Sequence, residues 1–110
     1  MALFRVGALP DAPMAAAAAF HAGILSEIAS ALAGGPDHLI LVFPPADHTH
    51  RAWRLAVVQG LAREHAPLRI NALESADDTA IKAAHAYLAQ ADGLTGQLLV
   101  LDGQGAGAVV

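Results

Sequence analysis

The residues best suited to chemistry form one short polar cluster, residues 47–54, in an otherwise apolar chain. Asp47 with His48 and His50 offers the donor types that bind a divalent metal. Free backbone N–H groups with Arg51 and Arg54 could instead hold an anion. Two histidines at i and i+2 point to different sides of a helix, which weakens the metal interpretation. The interpretation we favour is that these polar residues cap a helix that begins here.

Other candidate residues are scattered and carry less chemistry. The absence of cysteine excludes disulfides, thiolate nucleophiles and cysteine-based zinc sites. Ser26 and Ser30 have no nearby partner that would make either a nucleophile, and both are small enough to allow close helix packing. The remaining histidines fall on separate predicted elements and are expected at the surface or at an interface: His21, His38, His65 and His85.

Composition limits the classes of partner. Only 15% of the residues are charged, against roughly 25% in ordinary soluble domains. A net charge of −4 with six Lys and Arg gives no basic patch for nucleic acid or for an anionic membrane. Residues 12–24 lack the basic start of a signal peptide, and no run approaches the ~20 strongly apolar residues of a membrane span. We therefore expect a cytoplasmic protein.

The elements that must position the cluster alternate between aliphatic runs and helix-period segments, which predicts a single α/β domain over residues 1–110. We expect four parallel strands at residues 3–9, 38–43, 68–73 and 97–101. Three helices are predicted, the first from a cap at Asp11 to Ala33, the second from Asp47 or Thr49 to Ala66, and the third from a Ser75/Asp78 capping box to Gly93. The polar cluster then follows the second strand, where parallel sheets place their ligand crevice.

The first predicted helix is apolar on all sides. Between residues 12 and 33 its only charged side chain is Glu27. A helix with one apolar stripe lies on a sheet, whereas a helix that is apolar all round must also be covered from outside. In a domain this small, we expect another chain to provide the cover.

Three segments of the second half follow one another at regular spacing. They are Leu61-Ala62-Arg63-Glu64-His65-Ala66-Pro67, Arg69-Ile70-Asn71-Ala72 and Thr95-Gly96-Gln97-Leu98-Leu99-Val100-Leu101-Asp102-Gly103. This order is similar to the closing part of short-chain dehydrogenases/reductases, which end on L-A-R-E-x-A-P, R-V-N-A and T-G-Q-x-x-x-x-D-G-G. The resemblance covers roughly residues 20–103, with Gln104 where the family has its second glycine. It implies a truncated Rossmann-like fold.

The resemblance also implies which residues should carry the family's chemistry, and those residues are missing. The family's catalytic Tyr falls on Asp47, its Lys on Arg51, its Ser on the Pro44-Pro45 pair and its Asn on Phe20. NAD or NADP binds the family through a glycine-rich turn that precedes a helix, and the sequence begins after that unit. We therefore expect no bound cofactor and no dehydrogenase activity.

The function implied by the resemblance is assembly. In the family, the helices corresponding to residues 11–33 and 47–66 pack against their symmetry mates as a four-helix bundle. We expect a homodimer or a tetramer through these helices, with docking on a full-length dehydrogenase of the same family as a further option, and an open first-strand edge that another chain could cover. The expected contact residues are Phe20, Ile24, Ile28, Trp53, Val57 and Leu61. The alternative is a protein that binds a small molecule or an anion at residues 47–54.

Overall fold

The computed structural model describes residues 2–101, which form one parallel sheet with helices on both faces. The strands lie in the order β1-β2-β3-β4, with every neighbouring pair parallel. Their bounds are β1 Ala2–Arg5, β2 His38–Phe43, β3 Arg69–Glu74 and β4 Leu98–Val100. This arrangement confirms the α/β, Rossmann-like fold class.

The central strand β2 is buried along its whole length. Leu39 and Leu41 belong to one hydrophobic core and Ile40 and Val42 to the other, because successive side chains of a strand point to opposite faces. A strand covered on both faces offers few positions for a polar side chain. The continuous aliphatic run of β2 is therefore what a central parallel strand requires.

Three helices cover the two faces of the sheet. Helix α1 spans Pro13–Ala33 and contains a π-helical turn, Phe20–Ile24, between its α-helical segments Pro13–Ala19 and Leu25–Ala33. Helix α2, Arg51–Glu64, follows a 3-10 turn, His48–His50. Together α1 and α2 pack on the face formed by Leu39 and Leu41, whereas α3, Asp78–Gln90, packs on the opposite face.

The ends of several elements differ from those expected. The first strand stops at Arg5 rather than residue 9, although the Val6 amide still donates to the Val42 carbonyl at 2.8 Å. The N-cap of α1 is Ala12, without a side-chain hydrogen bond, so the predicted cap Asp11 is wrong. The predicted Ser75/Asp78 capping box of α3 is also wrong.

Asp77 caps α3 instead. Its carboxylate accepts from the Thr79 amide at 2.9 Å and from the Ala80 amide at 3.3 Å. The Ser75 hydroxyl accepts from the Asp77 amide at 3.0 Å and so supports the cap one step earlier. The Ser75-x-x-Asp78 pattern resembled a capping box because Asp77, which caps the helix, lies between Ser75 and Asp78.

Two side chains of β3 hold the segment that leads into β4. The Arg69 guanidinium donates to the Leu88 and Ala91 carbonyls, at 2.8 and 2.9 Å, at the C-terminal end of α3. The Asn71 amide donates to the Leu94 carbonyl at 2.9 Å, and its oxygen accepts from the Gln97 amide at 3.0 Å. The Arg-x-Asn spacing of β3 therefore determines where β4 begins. The Asp102-Gly103 end of the third motif, and Gln104, lie outside the described residues.

Candidate functional site

The polar cluster lies at the carboxyl end of the sheet, beside a cavity of about 230 Å³. The loop after β1 contributes Asp11, and the β2–α2 connection contributes Pro44 and Asp47. His50 and Arg54 complete the polar lining. The structure therefore brings three of the five predicted site residues together, namely Asp47, His50 and Arg54. The other two, His48 and Arg51, are exposed and do not line this cavity.

Arg54 is committed to an internal ion pair. Its Nη1 donates to Glu74 Oε2 at 3.0 Å and to the Pro44 carbonyl at 2.8 Å. The guanidinium carbon also lies 4.6 Å from the centre of the Phe43 ring, within range of a cation–π contact. The two side chains are only 3% and 7% exposed, so Glu74 neutralises the arginine in a poorly hydrated setting. An incoming anion would compete with a carboxylate that is already in place.

His50 uses both ring nitrogens within the chain. Its Nε2 lies 2.8 Å from the Asp11 carbonyl oxygen, and its Nδ1 accepts from Trp53 Nε1 at 3.1 Å. This pattern requires a neutral ring with its proton on Nε2. A metal at either nitrogen would break one of these bonds. Among residues 2–101, no group of three or more His, Asp or Glu residues is arranged to hold a metal ion.

Asp47 acts as a cap. Its carboxylate accepts from the Thr49 backbone amide at 2.9 Å and from the Thr49 hydroxyl. These bonds, the hydroxyl bond foremost, lower the pKa of Asp47 below its ordinary value. The side chain is thus an ionised helix cap at neutral pH, as the favoured interpretation of the cluster requires.

Sequence reasoning missed Glu74, which is the partner that decides what Arg54 can do. It ends β3, 20 residues after Arg54, and β2–β3 pairing places it opposite Phe43. Its Oε1 also accepts weakly from the Ala46 amide at 3.4 Å. One signal in the sequence could have indicated this partner. Glu74 is an acidic residue at the end of a buried parallel strand, and the neighbouring strand leads into a helix that begins with basic residues.

A second surface feature is a groove between α1 and α2. A cavity of about 410 Å³ has an apolar lining that includes Leu25, Leu32 and Leu61, and His21 and Glu64 also line it. A smaller cavity of about 260 Å³ shares four of these residues and continues to Val57. We call this surface, bounded by His21, Leu25, Leu32, Val57, Leu61 and Glu64, the α1–α2 groove.

The predicted contact residues divide between this groove and the core. Phe20 and Ile28 are 0% exposed and belong to the core of the chain itself, although Ile28 also lines the 410 Å³ cavity of the groove. Phe20 packs on Phe43 and Trp53, with ring centres 5.8 and 5.6 Å apart. Val57 and Leu61 are almost covered, while Ile24 and Trp53 are half-buried.

A π-helical turn separates the two α-helical segments of α1. A π turn accommodates an additional residue, so residues before and after it no longer share one regular face. Phe20 at the start of the turn points inward, whereas Leu25, just after it, lines the groove. Leu25 and Leu32 are therefore groove residues that sequence reasoning missed.

Helix α1 remains largely uncovered. Only Ala16, Phe20 and Ile28 are buried along it. By length and composition alone, Pro13–Ala33 could cross a membrane, so the expectation that no segment meets this test is wrong. In the structure, the buried side chains Phe20 and Ile28 pack this helix onto the sheet.

A parallel sheet between two helical layers, with a polar crevice at the carboxyl ends of its strands, defines a Rossmann-like α/β protein. The family model of short chain dehydrogenase-like proteins (SDR-like) matches residues 4–101, and the chain belongs to this family. Searches of curated proteins and of solved structures found no significant match. The matched region includes every residue of the polar cluster and of the α1–α2 groove.

The structure also locates the positions that the resemblance assigns to catalysis. Asp47, at the tyrosine position, is held by Thr49. Arg51, at the lysine position, is exposed on the first turn of α2. Phe20, at the asparagine position, is buried among aromatic rings. Pro44, at the serine position, offers its carbonyl to Arg54.

Proposed function

We propose that this SDR-like protein has no dehydrogenase activity and acts as an interaction module that forms a homodimer through the α1–α2 groove. The observation that carries the proposal is the state of α1, whose apolar surface is only slightly covered by its own domain. A second copy presents the same helix and the same groove, so a twofold axis would let each chain cover the other.

The chemistry of the groove suits an apolar helix. Its apolar lining includes Leu25, Leu32 and Leu61, and its polar lining consists of His21, Ser26, Glu64 and His65. Interfaces commonly combine an apolar centre with a polar rim. Because Glu27 is the only charged residue of α1, a second α1 could approach the groove with little charge to desolvate.

The absence of dehydrogenase activity is proposed from the residues at the family's catalytic positions. Proton transfer to a carbonyl requires a hydroxyl with a suitably lowered pKa. An ionised Asp47 beside an exposed Arg51 provides no such donor. NADH or NADPH added to the protein should leave the thermal midpoint unchanged, and no oxidation of either should accompany a panel of aldehydes and ketones. A cofactor-dependent stabilisation would contradict this part of the proposal.

Assembly is tested by charge substitutions on α1. Leu25→Glu or Leu32→Glu would place a carboxylate in the groove, and we expect either variant to sediment as a monomer. Tyr87→Glu is the matched control because Tyr87 is 56% exposed on α3, on the opposite face of the sheet. Circular dichroism would establish that each variant is folded. A dimeric Leu25→Glu variant, or a monomeric Tyr87→Glu variant, would contradict the proposed surface.

The same variants test whether a complete member of the family is a second partner. If the groove also docks on a full-length dehydrogenase, wild-type chain mixed with that enzyme should form a stoichiometric complex, and Leu25→Glu should not. A complex that survives the substitution would require a different surface.

The alternative function is binding of a small molecule or an anion at the carboxyl end of the sheet. One observation favours it: Arg54 Nε is buried without a hydrogen-bond partner beside the 230 Å³ cavity. Glu74 already balances the charge, which is why we place this function second. Replacing the buried pair as Arg54→Met/Glu74→Leu should leave assembly intact and abolish any such binding. Loss of the dimer in this double variant would show that the two sites are not separate.

A further inference from the structure

The far face of the sheet contains a contact between two histidines that the proposed function does not use. His38 is the first residue of β2, and its side chain points toward α3. Its ring centre lies 5.9 Å from that of His85 in an edge-to-face arrangement. His38 is only 3% exposed, so this contact forms part of the layer that joins α3 to the sheet.

The ring nitrogens at this contact are buried without hydrogen bonds. Neither Nδ1 nor Nε2 of His38 has a partner, and His85 Nε2 is in the same condition. Asp37 Oδ1 lies 3.4 Å from His38 Nδ1, but without the geometry of a hydrogen bond. Buried polar atoms are usually paired. The contact is therefore tolerated in its neutral form, and a proton on His38, which is almost fully buried, would add charge where little can solvate it.

The charged groups around His38 make protonation harder still. Arg69 pairs with His38 in the β2–β3 register, and its guanidinium is fixed by the carbonyls at the end of α3. Burial lowers the pKa of His38 below 6.5, the positive charge of Arg69 acts in the same direction, as does His85, and Asp37 opposes them. The one acidic neighbour, Asp37, is an exposed side chain.

We propose that the His38–His85 contact is an acid-sensitive latch, which holds α3 on the sheet near neutral pH and releases it when protonated. The helix is a suitable element to release because it is the one helix that packs on its face of the sheet within residues 2–101. Beyond its apolar side chains it is tied down by Arg69 and, at the surface, by Arg5, which lies 3.3 Å from Asp78. Helices α1 and α2, and the groove between them, lie on the opposite face.

The direction of the pH effect depends on whether His38 binds its proton more readily in the folded or in the unfolded chain. The unfolded chain takes up this proton near pH 6.5, whereas the folded chain takes it up only at lower pH. Stability from the neutral contact is therefore complete above about pH 6.5 and decreases as the pH falls through the interval down to the lowered folded pKa. For one proton, the unfolding equilibrium constant should rise by up to about tenfold between pH 7.5 and 5.5.

The test compares urea unfolding of the full chain at pH 7.5 and 5.5, at one protein concentration, for three proteins. We expect His38→Leu to lose a part of the pH dependence that wild type shows. His48→Gln, a change at an exposed histidine, should retain the wild-type dependence. Equal pH dependence in wild type and His38→Leu would overturn the proposal.

Hydrogen exchange separates release of α3 from general destabilisation. At pH 5.5 the amides of Asp78–Gln90 should exchange faster in wild type than in His38→Leu, while those of Arg51–Glu64 should not differ. An equal change in both helices would overturn the local character of the latch. If His38→Leu does not fold, ring resonances of the wild type decide: His38 should titrate below pH 6.5, and titration at or above pH 6.5 would overturn the proposal.

Discussion

Replacing Arg54 with methionine should show how much the buried Arg54–Glu74 ion pair at the carboxyl end of the sheet contributes to the free energy of unfolding. Methionine keeps an unbranched apolar side chain but removes the guanidinium. Glu74, 7% exposed, would then lie without the cation that is 3.0 Å away in the structure. The Pro44 carbonyl would lose its donor, and Phe43 its cation–π partner.

The expected cost is large for a domain of this size. Breaking a buried ion pair by removing one partner costs about 3–5 kcal/mol, because the remaining charge is left uncompensated. Small domains are stable by only about 5–15 kcal/mol in total. Arg54→Met should therefore lose a substantial part of the free energy of unfolding. The double variant Arg54→Met/Glu74→Leu should be much closer to wild type, since an apolar pair replaces both charges.

Urea unfolding at pH 7 and at fixed protein concentration measures these differences. Arg51→Met is the matched control: Arg51 is exposed on the same helix, and its loss should change stability by no more than about 0.5 kcal/mol. A loss of less than about 1 kcal/mol in the free energy of unfolding of Arg54→Met would be that of a surface pair. It would contradict the conclusion that this ion pair is buried and stabilising. A double variant as unstable as Arg54→Met alone would also refute it.

Three further substitutions test how β3 and the end of α1 are held. Arg69→Met should cost about 1.5–3 kcal/mol in urea unfolding, because the carbonyls at the end of α3 lose a charged donor, whereas Arg63→Met, at an exposed position, should cost almost nothing. Asn71→Leu should cost about 1–3 kcal/mol by leaving two backbone groups unpaired, and hydrogen exchange should show the start of β4 opening first. Gly35→Ala should cost about 1–2 kcal/mol because φ is +74° there. The control is Gly93→Ala, because Gly93 has open space around it and no positive φ. Thermal denaturation of the two variants measures the difference.

The fold was predictable where a local pattern agrees with burial. The aliphatic run of β2 was assigned with its observed bounds, His38–Phe43, because a strand buried on both faces allows few other residues. The predicted end of α1 at Ala33 was correct. Gly34 and Gly35 follow it, and a helix commonly ends at a residue with positive φ, here Gly35. The ends of β1 were misassigned. The cap of α3 was also misassigned, because neighbouring residues with similar capping chemistry differ only in their backbone geometry.

The candidate site was less predictable because its decisive partner is distant in sequence. The cluster at residues 47–54 was located correctly, at the carboxyl end of β2. Its chemistry depends on Glu74 and on the Asp11 carbonyl, which reach Arg54 and His50 only through the tertiary fold. Likewise, His38 was expected at the surface or an interface but is buried under α3, because the helix register and not the residue type decides what covers it.

The groove shows a third kind of limit. Phe20, Ile24 and Ile28 were predicted to contact another chain. Phe20 and Ile28 instead lie in the chain's own core, at the start of the π-helical turn and after it. No pattern in the sequence marks this turn. The conclusion that α1 is apolar on all sides did not depend on the register, and the largely uncovered helix agrees with it.

Sedimentation equilibrium of the wild-type chain at neutral pH tests whether the chain forms the proposed homodimer. We expect a species of twice the 11.2 kDa chain mass that dissociates on Leu25→Glu substitution. A folded wild-type chain that remains at 11.2 kDa throughout the concentration range would contradict it.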